Sequence, residues 1–89
     1  MKRLRIIVSG KVQGVYFRAT TETVATTLEL TGFVRNENNG DVYIEAQGDE
    51  ENLNKFIEWC KKGPERARVD SVNVSEIHVS GDISFRISR

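Results

Sequence analysis

The apolar residues of this chain switch repeatedly between two-residue and helical spacing, and the order of those switches leaves few folds open to it. Leu4, Ile6 and Val8 alternate with Arg3, Arg5 and Ile7, which predicts a strand with one buried face. Thr21, Val24, Ala25 and Leu28 then fall at i, i+3, i+4 and i+7, one helical face, and Gly32 stands where a helix C-terminus favours a left-handed residue. The threonines at 20, 21, 23, 26 and 27 make this a poor helix by propensity, because β-branched side chains lose rotamer freedom there. As a strand, however, the segment would place Ala25 on the face opposite Val24 and Leu28, so the helix is retained. Phe33 to Asn36 reads as a short strand, and Val42, Ile44 and Ala46 alternate with polar residues in another. Between them Asn38-Asn39-Gly40 accepts positive φ cheaply, which predicts a hairpin. Asp49 reads as an N-cap, Glu50 and Glu51 suit the positive end of a helix dipole, and Leu53, Phe56, Ile57 and Cys60 form an apolar stripe. Lys61 and Lys62 suit its far end, and Gly63-Pro64 stops it. Val72 and Val74, with Val69 and Ile77 if a bulge intervenes, give a fourth strand. Ile83, Phe85 and Ile87 alternate in a fifth, after a turn at Ser80-Gly81-Asp82.

The predicted order is β-α-β-β-α-β-β. Its first six elements match the split βαβ, or ferredoxin-like, plan, so the expected fold is α+β: a five-stranded antiparallel sheet with two helices on one face. At 89 residues the chain is expected to form a single domain, 1–89, with no room to divide an active site between two cores. No run approaches the roughly 20 apolar residues of a membrane helix. Ser9 and Gly10 interrupt the N-terminal apolar run too early for a signal peptide. With 13 basic and 13 acidic residues the net charge is zero, which argues against a general nucleic-acid binder. Cys60 is the only cysteine, so neither an intrachain disulfide nor a thiolate metal cluster can form, and a reduced, cytoplasmic protein is the expectation.

The inventory also excludes familiar chemistries. His78 is the one histidine, near the end of a predicted strand and distant in sequence from every glycine-rich loop, and it reads as a surface residue. Cys60 lies on an apolar stripe and reads as a buried, inert thiol. An enzyme built from this chain therefore works without a cysteine nucleophile or a histidine base. The connection between the first strand and helix is more informative. Gly10 and Gly14 allow backbone N–H groups to converge, the helix start adds partial positive charge, and Arg18 could present a planar fork to two phosphate oxygens. Residues 1–18 carry Lys2, Arg3, Arg5, Lys11 and Arg18 and no acidic residue, so this end should attract anions. The spacing matches neither a dinucleotide fingerprint nor a P-loop. Taken alone it fits a plain glycine-punctuated turn, with Arg18 a solvated helix-start residue, better than an anion cradle. The acidic residues from Glu37 to Glu51 read as solvation of the outer hairpin and helix start.

Taken together, these segments resemble a family. Gly10-Lys11-Val12-Gln13-Gly14-Val15-Tyr16-Phe17-Arg18 is similar to the G-x-V-Q-G-V-x-F-R signature of acylphosphatases. Gly32-Phe33-Val34-Arg35-Asn36-Glu37-Asn38-Asn39-Gly40-Asp41-Val42 resembles the family's G-W-V-x-N-x-x-D-G-x-V. Ala25 with Leu28-Glu29-Leu30, and Gly48, Gly63-Pro64 and Ala67-Arg68-Val69 further on, extend the likeness over nearly the whole chain. Phe33 replaces the usual tryptophan and Asn39 the usual aspartate, and the threonine-rich helix is atypical. The resemblance implies hydrolysis of small-molecule acyl phosphates to carboxylate and inorganic phosphate, with no metal and no cofactor. It implies that the backbone of Gln13, Gly14, Val15, Tyr16, Phe17 and Arg18, with the Arg18 guanidinium, binds the phosphoryl group, that Asn36 holds the attacking water, and that phosphate or sulfate can occupy the site. The inventory agrees: a carboxylate is a good leaving group, and phosphoryl transfer rests chiefly on positioning and charge stabilisation. Two other classes compete. A non-catalytic anion sensor would keep the loop without needing Asn36. An RNA-binding sheet would need outward aromatics, of which only Tyr43 is evident from the pattern. No interface stripe is evident, so a monomer is expected, with neither nucleic-acid nor membrane partner.

Overall fold

The computed structural model describes residues 1–88. Seven elements follow one another: β1 (Lys2–Lys11), α1 (Phe17–Thr27), β2 (Thr31–Asn36), β3 (Val42–Gly48), α2 (Glu50–Lys62), β4 (Arg68–Ile77) and β5 (Phe85–Ile87). They form one five-stranded sheet in the order β4-β1-β3-β2-β5. Leu4, Ile6 and Val8 pair across the ladder with Ala46, Ile44 and Val42, and Val34 lies opposite Ile44. All seven are buried, on the face that the helices cover with Phe17, Ala25, Leu53, Phe56 and Cys60. Phe56 meets Phe85 edge-on at 6.2 Å, and Phe17 meets Trp59 at 5.4 Å, joining the two helices. No helix among the described residues is long and apolar enough to cross a membrane.

The sheet is mixed rather than wholly antiparallel, because β5 runs parallel to β2. The chain leaves β4 at the end of the sheet where Ile77 faces Arg3, and β2 begins at that same end, where Thr31 faces Gln47. Residues 78–84 cross along this end from one edge strand to the other, so β5 can only start beside the start of β2 and run in its direction.

Other expectations shift in detail. α1 ends at Thr27 and its left-handed residue is Glu29 (φ 59), not Gly32. Gly32 instead lies within β2, where an added Cβ would collide with the Glu45 carbonyl oxygen. Asp49 occupies the N-cap of α2 in extended backbone, but its side chain makes no capping bond. The expected bulge lies opposite Ser9 and Gly10, with Asp70 as the extra residue. The last strand begins only at Phe85, its one buried residue, and Ile83, expected within it, precedes it and is 95% exposed. Phe33 joins Tyr43 on the open face of the sheet, their rings 6.0 Å apart, with Arg35 and Arg86 laid over them. The open face thus carries a second aromatic beside the Tyr43 that the pattern made evident.

Candidate active site

Both β1 and β2 run antiparallel to β3, so they run parallel to each other and finish at one end of the sheet. The loop from Val12 to Tyr16 leaves β1 at that end, Asn36 closes β2 there, and Ile87 closes β5 there. Residues far apart in sequence thus share one cleft of about 830 Å³, lined by Val12, Gly14, Tyr16, Phe17, Arg18, Ala19, Asn36 and Ile87. Arg18 and Asn36, singled out from the sequence, are brought together.

The backbone of the loop takes a conformation able to hold an anion. Gly14 (φ 74) and Tyr16 (φ 63) are left-handed, and the residue between them is not, so the sign of φ alternates into the start of α1. Such alternation turns successive N–H groups toward one concave side. Among the described residues, the N–H groups of residues 14–19 meet no protein acceptor, and the first bond of this turn runs from the Thr20 N–H to the Tyr16 carbonyl at 3.1 Å. Phe17, at the first position of α1, is buried against Trp59 and would touch any Cβ on Gly63. That anchor fixes the helix start and leaves its neighbour Arg18 half-buried in the cleft wall.

Electrostatics favour the same end. The first turn of α1 holds no acidic residue, whereas that of α2 holds Glu50 and Glu51. The dipole and free N–H groups of α1 are therefore uncompensated by the chain. Among the described residues Arg18 and Lys11 make no ion pair, while Lys2 bonds Glu50 at 2.9 Å and Arg3 bonds Glu45 and Asp82 at 2.9 and 3.0 Å. The basic excess expected at this end is therefore divided. Lys2 and Arg3 lie neutralised at the opposite end of β1, and Arg18 with Lys11 remain near the loop.

Asn36 points to the helix-covered side, in register with Val42, and its side-chain oxygen is buried without a protein donor. An unsatisfied buried acceptor costs about 1–3 kcal/mol, which a hydrogen-bond donor in the cleft would relieve. Gln13 and Val15, of the predicted binding set, do not line the cleft. Val15 is buried in the core. The Gln13 side chain instead reaches the β2–β3 turn. Ile87, Val12 and Ala19 were not anticipated as lining residues, and for Ile87 no local signal existed, since only the parallel β2–β5 pairing brings it there. His78 is exposed at the far end of β4. Cys60 is buried, and burial pushes its thiol pKa far up, which leaves it inert. Among the described residues no three His, Cys, Asp or Glu side chains gather as a metal site.

An α+β sandwich with main-chain amides and one guanidinium around a cleft, and an unsatisfied carboxamide at its wall, defines a class of domain equipped to hold an oxyanion. Comparison with known proteins makes the class specific. The acylphosphatase family model matches residues 4–87. The acylphosphatase of Marinobacter nauticus is 52% identical over 77 residues, covering 86% of this chain and 84% of that one. That of Methylococcus capsulatus is 43% identical over 84 residues, covering 94% and 91%. The crystal structure of acylphosphatase from Bacillus subtilis matches with a TM-score of 0.97 at 38% identity, covering 100% of both chains. The chain belongs to the acylphosphatase family, and is an enzyme of that class acting on small-molecule acyl phosphates.

Proposed function

We propose that Arg18 and the N–H groups of the loop and first turn of α1 hold the phosphoryl group, and that Asn36 orients the water that attacks it. The supporting observation is that one cleft is lined by Arg18, by Asn36 with its unsatisfied side-chain oxygen, and by Gly14, Tyr16, Phe17 and Ala19, whose N–H groups meet no protein acceptor. Charge accumulates on the phosphoryl oxygens in the transition state, and fixed donors aimed there need no reorganisation. The residues lining the cleft include no carboxylate, imidazole or amine. The water proton therefore passes to a phosphoryl oxygen of the substrate, and the carboxylate departs without protonation.

Turnover of benzoyl phosphate in the presence of EDTA tests this reading. Arg18→Ala should lower kcat/KM by about 10³-fold or more, as for an arginine that meets phosphoryl charge in the transition state, and Asn36→Ala should lower kcat by about 10²-fold, the cost of misplacing a reacting group. Circular dichroism should show both variants folded. Wild-type rates in both would overturn the assignment. On the same reading inorganic phosphate competes with substrate, the protein works as a monomer without nucleic acid, and its compartment is the reducing cytoplasm that a lone free thiol suits.

A further inference from the structure

The two halves of the site stand on strands that do not touch. β3 lies between β1, which carries the loop, and β2, which carries Asn36. Sheet hydrogen bonds therefore fix the distance from loop to Asn36 only through an intermediate strand. Gln13 crosses that gap directly. Its side-chain Nε2 donates to the Glu37 carbonyl at 2.8 Å and to the Asp41 carbonyl at 2.9 Å.

Those two carbonyls also close the turn. The Glu37 N–H donates to Asp41 O at 2.8 Å, and the Gly40 N–H donates to Glu37 O at 3.1 Å. Gln13 takes the remaining acceptor capacity of both, so the turn cannot shift without breaking bonds to the loop. Glu37 follows Asn36 directly, and its carbonyl position restricts the backbone that aims the Asn36 carboxamide. A primary amide suits the task, since it offers two coplanar donors without charge. A carboxylate of equal length would set an acceptor against two carbonyls, and asparagine falls one methylene short.

We infer that the Gln13 side chain is a positioning residue that sets Asn36 against the phosphoryl cradle, acting on turnover more than on anion binding. The inference rests on the role proposed for Asn36. Misplacement of a reacting group by about 1 Å can cost as much as 10²-fold in rate, whereas the cradle amides and Arg18 need no help from the turn to hold an anion.

The test compares Gln13→Met, which keeps length and removes both donors, with Gln13→Asn, which keeps the amide and shortens the reach. Measured quantities are kcat and KM for benzoyl phosphate, the inhibition constant of inorganic phosphate, and the melting temperature. Both variants should lose about 10–10² in kcat, with the phosphate inhibition constant changed by less than about threefold. Gln13→Met in an Asn36→Ala background should cost less than about threefold further, because the residue it positions is already gone. Unchanged kcat, an equal loss of phosphate affinity, or losses that multiply in the double variant would each overturn the inference. If Asn36→Ala alone turned over at the wild-type rate, the fault would lie in the role assigned to Asn36 and the inference would fall with it. A dead Asn36→Ala beside a fully active Gln13→Met would sink only the part given to Gln13.

Discussion

Tyr16 shows what the site demands of a single residue. It is a non-glycine residue in the left-handed region, which costs roughly 1–2 kcal/mol. Its side chain is 76% exposed, so packing does little to offset that cost. What the conformation provides is the alternation of φ that aims the loop amides. In most helices and loops alanine is more stable than glycine, but here the order should reverse. Tyr16→Gly should be more stable than Tyr16→Ala by about 1 kcal/mol in urea unfolding. Alanine matching or exceeding glycine would show that the left-handed backbone is not a constraint. Nothing in the sequence marks this strain, because tyrosine is not a residue that favours the left-handed region.

At the scale of the element, α1 explains how a threonine-rich segment stays helical. Thr20, Thr21, Thr23 and Thr27 each turn a hydroxyl back onto the carbonyl four residues earlier, at 2.9, 2.7, 3.2 and 2.9 Å. This satisfies the hydroxyls, including that of fully buried Thr21, but leaves the propensity deficit in place. Thr23, Thr26 and Thr27 are exposed, so replacing all three with alanine removes β-branching without a cavity. The triple variant should gain about 1–2 kcal/mol and melt roughly 5–10 °C higher, with kcat unchanged, because these positions lie beyond the first turn. A lower melting temperature would mean that the back-bonds stabilise the helix more than the branching weakens it.

At the scale of the molecule, the segment from His78 to Ser84 ties the two edges of the sheet together. Gln47 bonds both the N–H and the carbonyl of Ser80, and Arg3, only 3% exposed, bonds Asp82. The hydrogen bond from Arg3 holds the Asp82 carboxyl below the usual aspartate range, against the opposing effect of burial. Burial also opposes charge on Arg3, but its bonds to Glu45 and Asp82 more than offset this and raise its pKa. Because the folded pKa of Asp82 lies below its unfolded value of about 3.9, the pair contributes in full above that pH and is lost as pH falls through the folded value. Asp82→Asn should therefore melt lower than wild type at pH 6 and show a shallower decline between roughly pH 4 and 2. Coincident acid limbs would show that the tie contributes nothing.

Each element came from local rules that the chain displays openly: alternation for β1 and β3, the Asn-Asn-Gly turn between β2 and β3, and the apolar stripe of α2. The segments that bring Arg18 and Asn36 to one cleft stood out because their motifs are continuous stretches of chain. Partnership across the sheet was not legible in that way. The parallel seat of β5, the arrival of Ile87 in the cleft, the bond from Gln13 to the hairpin and the burial of Arg3 between two carboxylates all depend on which strands become neighbours. Sequence spacing encodes the face a residue takes on its own element, because that follows from backbone periodicity. Which element it then meets is settled only when the sheet assembles, since that choice minimises exposed apolar area and unpaired polar groups over the whole chain at once.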